Sequence, residues 1–159
     1  MALVLDGSLG VTFPVTAGSA SAVQASSGRV LQVVNAGSNG TSTTSTSFVD
    51  TGLTASITPS SSSSKVFVMV NGVSRATNAR AGFAIVRNST QLVGLTEVNG
   101  TNAQIPYYFS YLDSPTTTSS VTYKLQIASN TSGQTVNNSD AGTVSSGNIN
   151  YITLMEIAA

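Results

Sequence analysis

The chain has 159 residues, the size of one ordinary domain that can bury its own core. Six basic and six acidic side chains cancel to a formal net charge of zero, so no field steers the protein toward nucleic acid or anionic lipid, and neither is expected as a partner. Cys and His are both absent, which removes disulfides, thiolate and imidazole metal sites, and the usual base of a hydrolytic triad.

Residues 1–28 differ in kind from the rest of the chain. Two brief apolar pieces, Leu3–Leu5 and Val11–Val15, are joined through Gly and followed by a run of small residues. This reads as an extended arm that docks on something, with Leu3, Leu5, Val11 and Phe13 as the anchoring side chains. The first apolar run stops at Leu5, too short for the core of a secretory signal, and no apolar run approaches the roughly 18 residues of a membrane-spanning helix. The expectation is a protein made and assembled in a cytoplasm, with no membrane insertion.

From residue 29 onward strand signals dominate, and no long window keeps the helical spacing of apolar residues. Runs rich in Val, Ile, Thr, Tyr and Phe predict strands at 30–35, 46–51, 53–58, 65–71, 82–88, 91–97, 105–112, 121–128 and 149–157, separated by Gly, Asn and Ser clusters. The Ser/Thr-rich tract from Thr41 to Lys65 has the composition of a linker, yet Phe48, Val49, Leu53, Ala55 and Ile57 alternate within it. It is expected to form two short strands around a turn at Asp50–Gly52, with Ser60–Ser64 alone as a loop. The fold class this predicts is all-β: an antiparallel β-sandwich, jelly-roll-like, over residues 29–159, behind the arm of residues 1–28.

Periodicity distinguishes two kinds of strand. In 121–128, Val121, Tyr123, Leu125 and Ile127 alternate with Thr122, Lys124 and Gln126, the pattern of a sheet with one wet face. In 65–71, Val66, Val68 and Val70 oppose Phe67 and Met69; in 149–157, Ile149, Tyr151, Met155 and Ile157 oppose Ile152 and Leu154. A strand that is apolar on both faces needs a second cover beyond its own core, most simply another subunit. Phe67, Met69, Ile152 and Leu154 are therefore the expected subunit-interface residues.

Residue patterns that carry chemistry are scarce in the chain. Ser62-Ser-Ser-Lys65 matches a Ser-x-x-Lys spacing, but Ser is so abundant that the match carries no weight. The six acids, Asp6, Asp50, Glu97, Asp113, Asp140 and Glu156, are each isolated in sequence, unlike the paired carboxylates of a glycosidase. Residues 136–148 are oxygen-rich but lack a calcium-loop pattern and read as a long surface loop. No catalytic residue, metal ligand or cofactor is expected.

The aromatic stretch IPYYFSYLD at 105–113 splits by alternation into Tyr107, Phe109 and Tyr111 on one side and Tyr108, Ser110 and Leu112 on the other. Such rings can stack on sugars; filling the core and a subunit interface is the preferred reading. Arg75 and Arg80 are placed on a loop, where together with Tyr108 they are the candidates for contact with a receptor or ligand.

The segments GRVLQVVNAGS, TSTTSTSFVDTGLTASITPSSSSSKVFVMVNG, GFAIVRNSTQLVG, YKLQIAS and NYITLMEIA, with the opening MALVLDGSLGVTFP, resemble a module of bacteriophage tail-fibre and other virion proteins, notably of cyanophages and marine phages. The resemblance implies a β-sandwich, often homotrimeric, on the outside of a virion. It transfers no catalytic residues. It implies a non-enzymatic structural protein, in first place a short tail-fibre or tail-tip protein touching a glycan or protein of the host surface. The alternative is a trimeric capsid decoration protein gripping the major capsid protein; a third reading is a glycan-active enzyme. In each virion reading the partners are further copies of the chain and other virion proteins of the tail or head.

Overall fold

The computed structural model describes residues 27–94, 104–138 and 150–159, and the backbone alone at 4–6, 10–12 and 95–101. Its strands, in chain order, are β1 (Val4–Asp6), β2 (Gly10–Thr12), β3 (Val30–Ser38), β4 (Ser42–Thr43), β5 (Val49–Ile57), β6 (Lys65–Arg87), β7 (Thr90–Thr101), β8 (Ile105–Asp113), β9 (Val121–Ser129), β10 (Val136–Asn137) and β11 (Asn150–Ile157). Among the described residues there is no helix. β1 and β2 pair with each other; the other nine strands form one antiparallel sheet that curls on itself, nearly barrel-like.

The organising element is β6, a single strand of 23 residues. Along one edge it pairs first with β8, from Val66↔Asp113 to Ser74↔Ile105, and then with β7, from Thr77↔Thr101 to Arg87↔Thr90. β6 and the consecutive β7 and β8 are thus the two arms of one long hairpin, turned at Asn88 and bent near its middle. Asn78, at φ +53°, marks the bend. Asn tolerates this left-handed conformation better than most residues. The register shifts between Thr77 and Arg80, and the inward positions change from the even residues Val66–Ala76 to the odd residues Ala79–Ile85. A bulge of this kind re-aims a strand and lets one β6 serve two halves of the sheet.

On its other edge the first half of β6 pairs with β11, which pairs with β3; the second half pairs with β9, which pairs with β5. At the bend, β10 bridges Ala76 of β6 and Thr43 of β4 through Val136. The halves β8-β6-β11-β3 and β7-β6-β9-β5 pack their inner faces together. Leu53, Ile57, Val66, Val68, Val70, Phe83, Ile85, Tyr123, Leu125, Ile127, Ile152 and Leu154 fill the interior, each at most 2% exposed. Full burial of such a side chain contributes about 1.5–3 kcal/mol. Phe83 and Tyr107 stack with ring centroids 4.4 Å apart, and Phe109 and Tyr111 pack against the same core. Of the rings of 105–113 expected to fill the core and a subunit interface, Tyr107, Phe109 and Tyr111 face the core, whereas Tyr108 is exposed.

Three expectations change. The tract around Asp50–Gly52 is one strand with a bulge, not two strands around a turn. Gly52 takes φ +80°, and the Thr51 hydroxyl donates to the Leu125 carbonyl at 2.9 Å, supplying a bond across the gap where the ladder slips. Arg75 and Arg80 lie within β6 rather than on a loop. Of 136–148, Val136 and Asn137 form β10, and both Val136 and Asn138 are fully buried; residues 139–149 lie outside the described residues. Of the docking-arm residues, Leu5 and Val11 pair through their backbones in the β1–β2 hairpin, and Leu3 and Phe13 lie outside the described residues.

Candidate functional site

The outer face of the half β8-β6-β11-β3 is built by strand register. Val33, Met155, Phe67 and Leu112 are successive cross-strand partners, so four apolar side chains form a row across all four strands. Val33 and Leu112 are 56% and 48% exposed, and Leu31 is exposed beside the row. At a spacing of about 4.8 Å between strands, the row runs roughly 14 Å. Two residues along lies the row Asn35, Thr153, Met69 and Ser110, and two further on Gly37, Tyr151, Asn71 and Tyr108. One end of the face is apolar; the other carries amides, hydroxyls and tyrosines.

At that second end an open cleft of about 510 Å³ is lined by Met69, Val70, Asn71, Tyr108, Phe109 and Ser110. Tyr108 is 73% exposed, the most exposed large hydrophobic side chain among the described residues. None of the six lining residues is charged.

The expected interface residues divide. Phe67 and Met69 stand on this outer face, whereas Ile152 and Leu154 point the other way and are fully buried in the chain's own core, opposite Val70 and Val68. The four cannot share a surface. The outward partners of Phe67 and Met69 on β11 are Met155 and Thr153. Arg75 and Arg80 do not join Tyr108: they lie beyond the end of β8 toward the bend, where Arg75 is paired in register with Asn137 and the Arg80 backbone exchanges hydrogen bonds with Asn130. Asn71 and Val33 carry no signal of a site in the sequence, and Ser110, Leu112 and Met155 stand out there only as members of a strand face. Finding them requires knowing that β6 pairs with β8 and β11 in this register, which composition does not encode.

The described carboxylates occupy separate places and each has its own partners. Asp113 accepts from Arg87 Nη1 at 2.7 Å and from the Tyr123 hydroxyl at 2.6 Å, tying β8 to β6 and β9. Burial pushes the Tyr123 phenol well above its usual range, and the adjacent Asp113 adds to the rise. Asp50 accepts from Lys124 at 2.8 Å and Gln126 at 2.7 Å on the outside of the other half; those bonds hold its carboxyl below the usual range. Glu156, fully buried, accepts from Gln32 Nε2 at 2.6 Å and from both the amide and hydroxyl of Ser60 at 2.7 Å. Burial alone would raise its pKa, but the bonds from Gln32, Ser60 and Ser64 outweigh that and bring it down to about 2. The serine run therefore has a structural role, since it wraps a carboxylate. Among the described residues no three metal-ligating side chains cluster.

No protein-family model matches the chain, and no curated protein sequence matches it.

Proposed function

We propose that the chain is a non-enzymatic structural protein of a bacteriophage particle, exposed on the virion surface as a short tail-fibre or tail-tip protein, and that it works as a homotrimer. In this reading the two facing halves make a jelly-roll-like β-sandwich, and the hairpin-bearing residues 1–28 dock on a neighbouring virion protein. The observation that carries it is the apolar row Val33–Met155–Phe67–Leu112 on the outside of a sheet whose inner face already has its own core. A contiguous apolar patch of this kind on a monomer marks an association surface. The scarcity of charge agrees, because copies with no net charge do not repel one another. The resemblance of the sequence to phage virion modules supplies the setting and the threefold symmetry.

Counting copies of the chain per purified particle by quantitative mass spectrometry tests the setting. A small multiple of three per particle supports the tail reading. Hundreds per particle would move the protein to the capsid surface as a decoration protein, and absence from the particle would overturn the virion assignment.

A further inference from the structure

The cleft at the polar end of the outer face has the composition of a carbohydrate subsite. Many of the other described amide side chains in the sheet are committed within the protein: Gln32 to Glu156, Asn35 to Thr153, Asn88 to the Thr122 amide, Gln126 to Asp50, and Asn150 to the carbonyls of Asn138 and Ser38. Asn71 is different. Among the described residues, no protein group bonds its amide, the Ser110 hydroxyl or the Tyr108 hydroxyl, although all three line one cleft. Asn71 and Tyr108 are direct cross-strand partners, and Ser110 is the partner of Met69 in the next row. An amide offers both donors and an acceptor, and a hydroxyl offers both roles, the complement that vicinal sugar hydroxyls need. The phenol of Tyr108 presents a flat apolar face edged by a polar group, and Met69 adds a soft apolar wall. The cleft's size lies within the range of small-molecule sites, and the β6–β8 ladder sets the backbone positions from which these groups project.

We propose that this cleft binds a neutral pyranose sugar, stacked on Tyr108 and hydrogen-bonded by Asn71 and Ser110. The absence of any charged lining residue selects neutral hexoses and N-acetylhexosamines over uronic or sialic acids, whose carboxylates would find no cation there. A single shallow subsite binds weakly, on the order of millimolar, and assembled copies would raise the avidity for a surface bearing many such sugars. The assignment to sugar does not depend on the oligomeric state: the cleft lies between β6 and β8 of one chain.

The test uses the full chain on a broad array of neutral and acidic glycans, followed by saturation-transfer NMR with the free methyl glycosides of the best responders. The expected result is binding of one or more neutral glycans, weakened about tenfold or more in both Tyr108→Ala and Asn71→Ala, with circular dichroism and oligomeric mass unchanged. Tyr108→Phe keeps the stacking ring and retains most of the binding. Silence across the array, preference for acidic glycans, or binding indifferent to both alanine substitutions would each overturn the proposal. Because oligomeric mass is read in the same samples, failure of sugar binding is distinguishable from failure of the association surface.

Discussion

Ser60 gives both its backbone N–H and its hydroxyl to one oxygen of Glu156, each at 2.7 Å, while Gln32 donates to the other oxygen at 2.6 Å. The loop after β5 is thereby fastened to β11 and β3. The folded-state pKa of Glu156 lies at about 2, below its ordinary 4.5, so the clamp contributes stability above pH 4.5 that is lost as pH falls toward 2. Thermal melts across this window should show a falling midpoint. In Glu156→Gln the slope should flatten, and the variant should be less stable at pH 7 by about 1–3 kcal/mol, because a charge-assisted set of bonds is replaced by an amide with one acceptor. An unchanged acid profile in the variant would show that Glu156 is not the group responsible.

The opposite sign applies at high pH. Burial lifts the Tyr107 phenol to about 12, with Asn138 opposing part of the rise, and lifts Tyr123 further in the same direction. A phenol raised in the folded state stays neutral while the unfolded chain ionises, so its contribution is complete below pH 10 and declines above it. Chemical denaturation should therefore show a steady loss of stability above pH 10, smaller in Tyr123→Phe. The same substitution leaves Asp113 with Arg87 as its partner, at a neutral-pH cost of about 1–2 kcal/mol.

Gly72 has no room for a methyl group. A Cβ there would lie 2.0 Å from Asn150 Oδ1 and 2.6 Å from the Tyr107 hydroxyl, which donates to that same Oδ1 at 2.8 Å. Gly72→Ala should cost about 1–3 kcal/mol or more, because it breaks a buried bond as well as overpacking the site. Gly94→Ala is the comparison: its new methyl meets only the flexible end of Gln91. Equal denaturation midpoints for the two would contradict this account of the buried network.

How much of the fold is legible in the sequence depends on the distance over which each cause acts. The alternation Val121, Tyr123, Leu125, Ile127 is local and places the inward face of β9 correctly; in β8 it separates Tyr107, Phe109 and Tyr111 from Tyr108, Ser110 and Leu112 but does not say which set is inward. The polar tract at 41–65 does belong to the sheet and its edge, but the bulge at Gly52 reads as a turn, since Asp-Thr-Gly suits either geometry until the partner strand is known. SRATNARAG looks like a loop because its Asn, Arg and small residues carry no β signal; pairing with β10, β7 and β9 overrides that weak preference. The two-sided apolar character of 65–71 and 149–157 is legible, but which side of β11 faces inward is not. Both of its faces are apolar, and only the register Leu154↔Val68 and Met155↔Phe67 assigns them. The cleft is beyond reach for the same reason: Asn71 and Tyr108 are neighbours only through the β6–β8 ladder.

The assignment of faces makes the association surface testable with two substitutions on adjacent strands of one half. The most direct measurement is native mass, by light scattering or mass spectrometry, of the chain and of Phe67→Asp and Ile152→Asp. The native chain should run at three times its 16.1 kDa mass. Phe67→Asp, on the outer row, should give a folded monomer with strand content retained, whereas Ile152→Asp places a charge in the closed core and should unfold the chain. A native chain that is monomeric at micromolar concentration, or a Phe67→Asp variant that remains a full trimer, would contradict the apolar row Val33–Met155–Phe67–Leu112 as the surface through which the protein assembles.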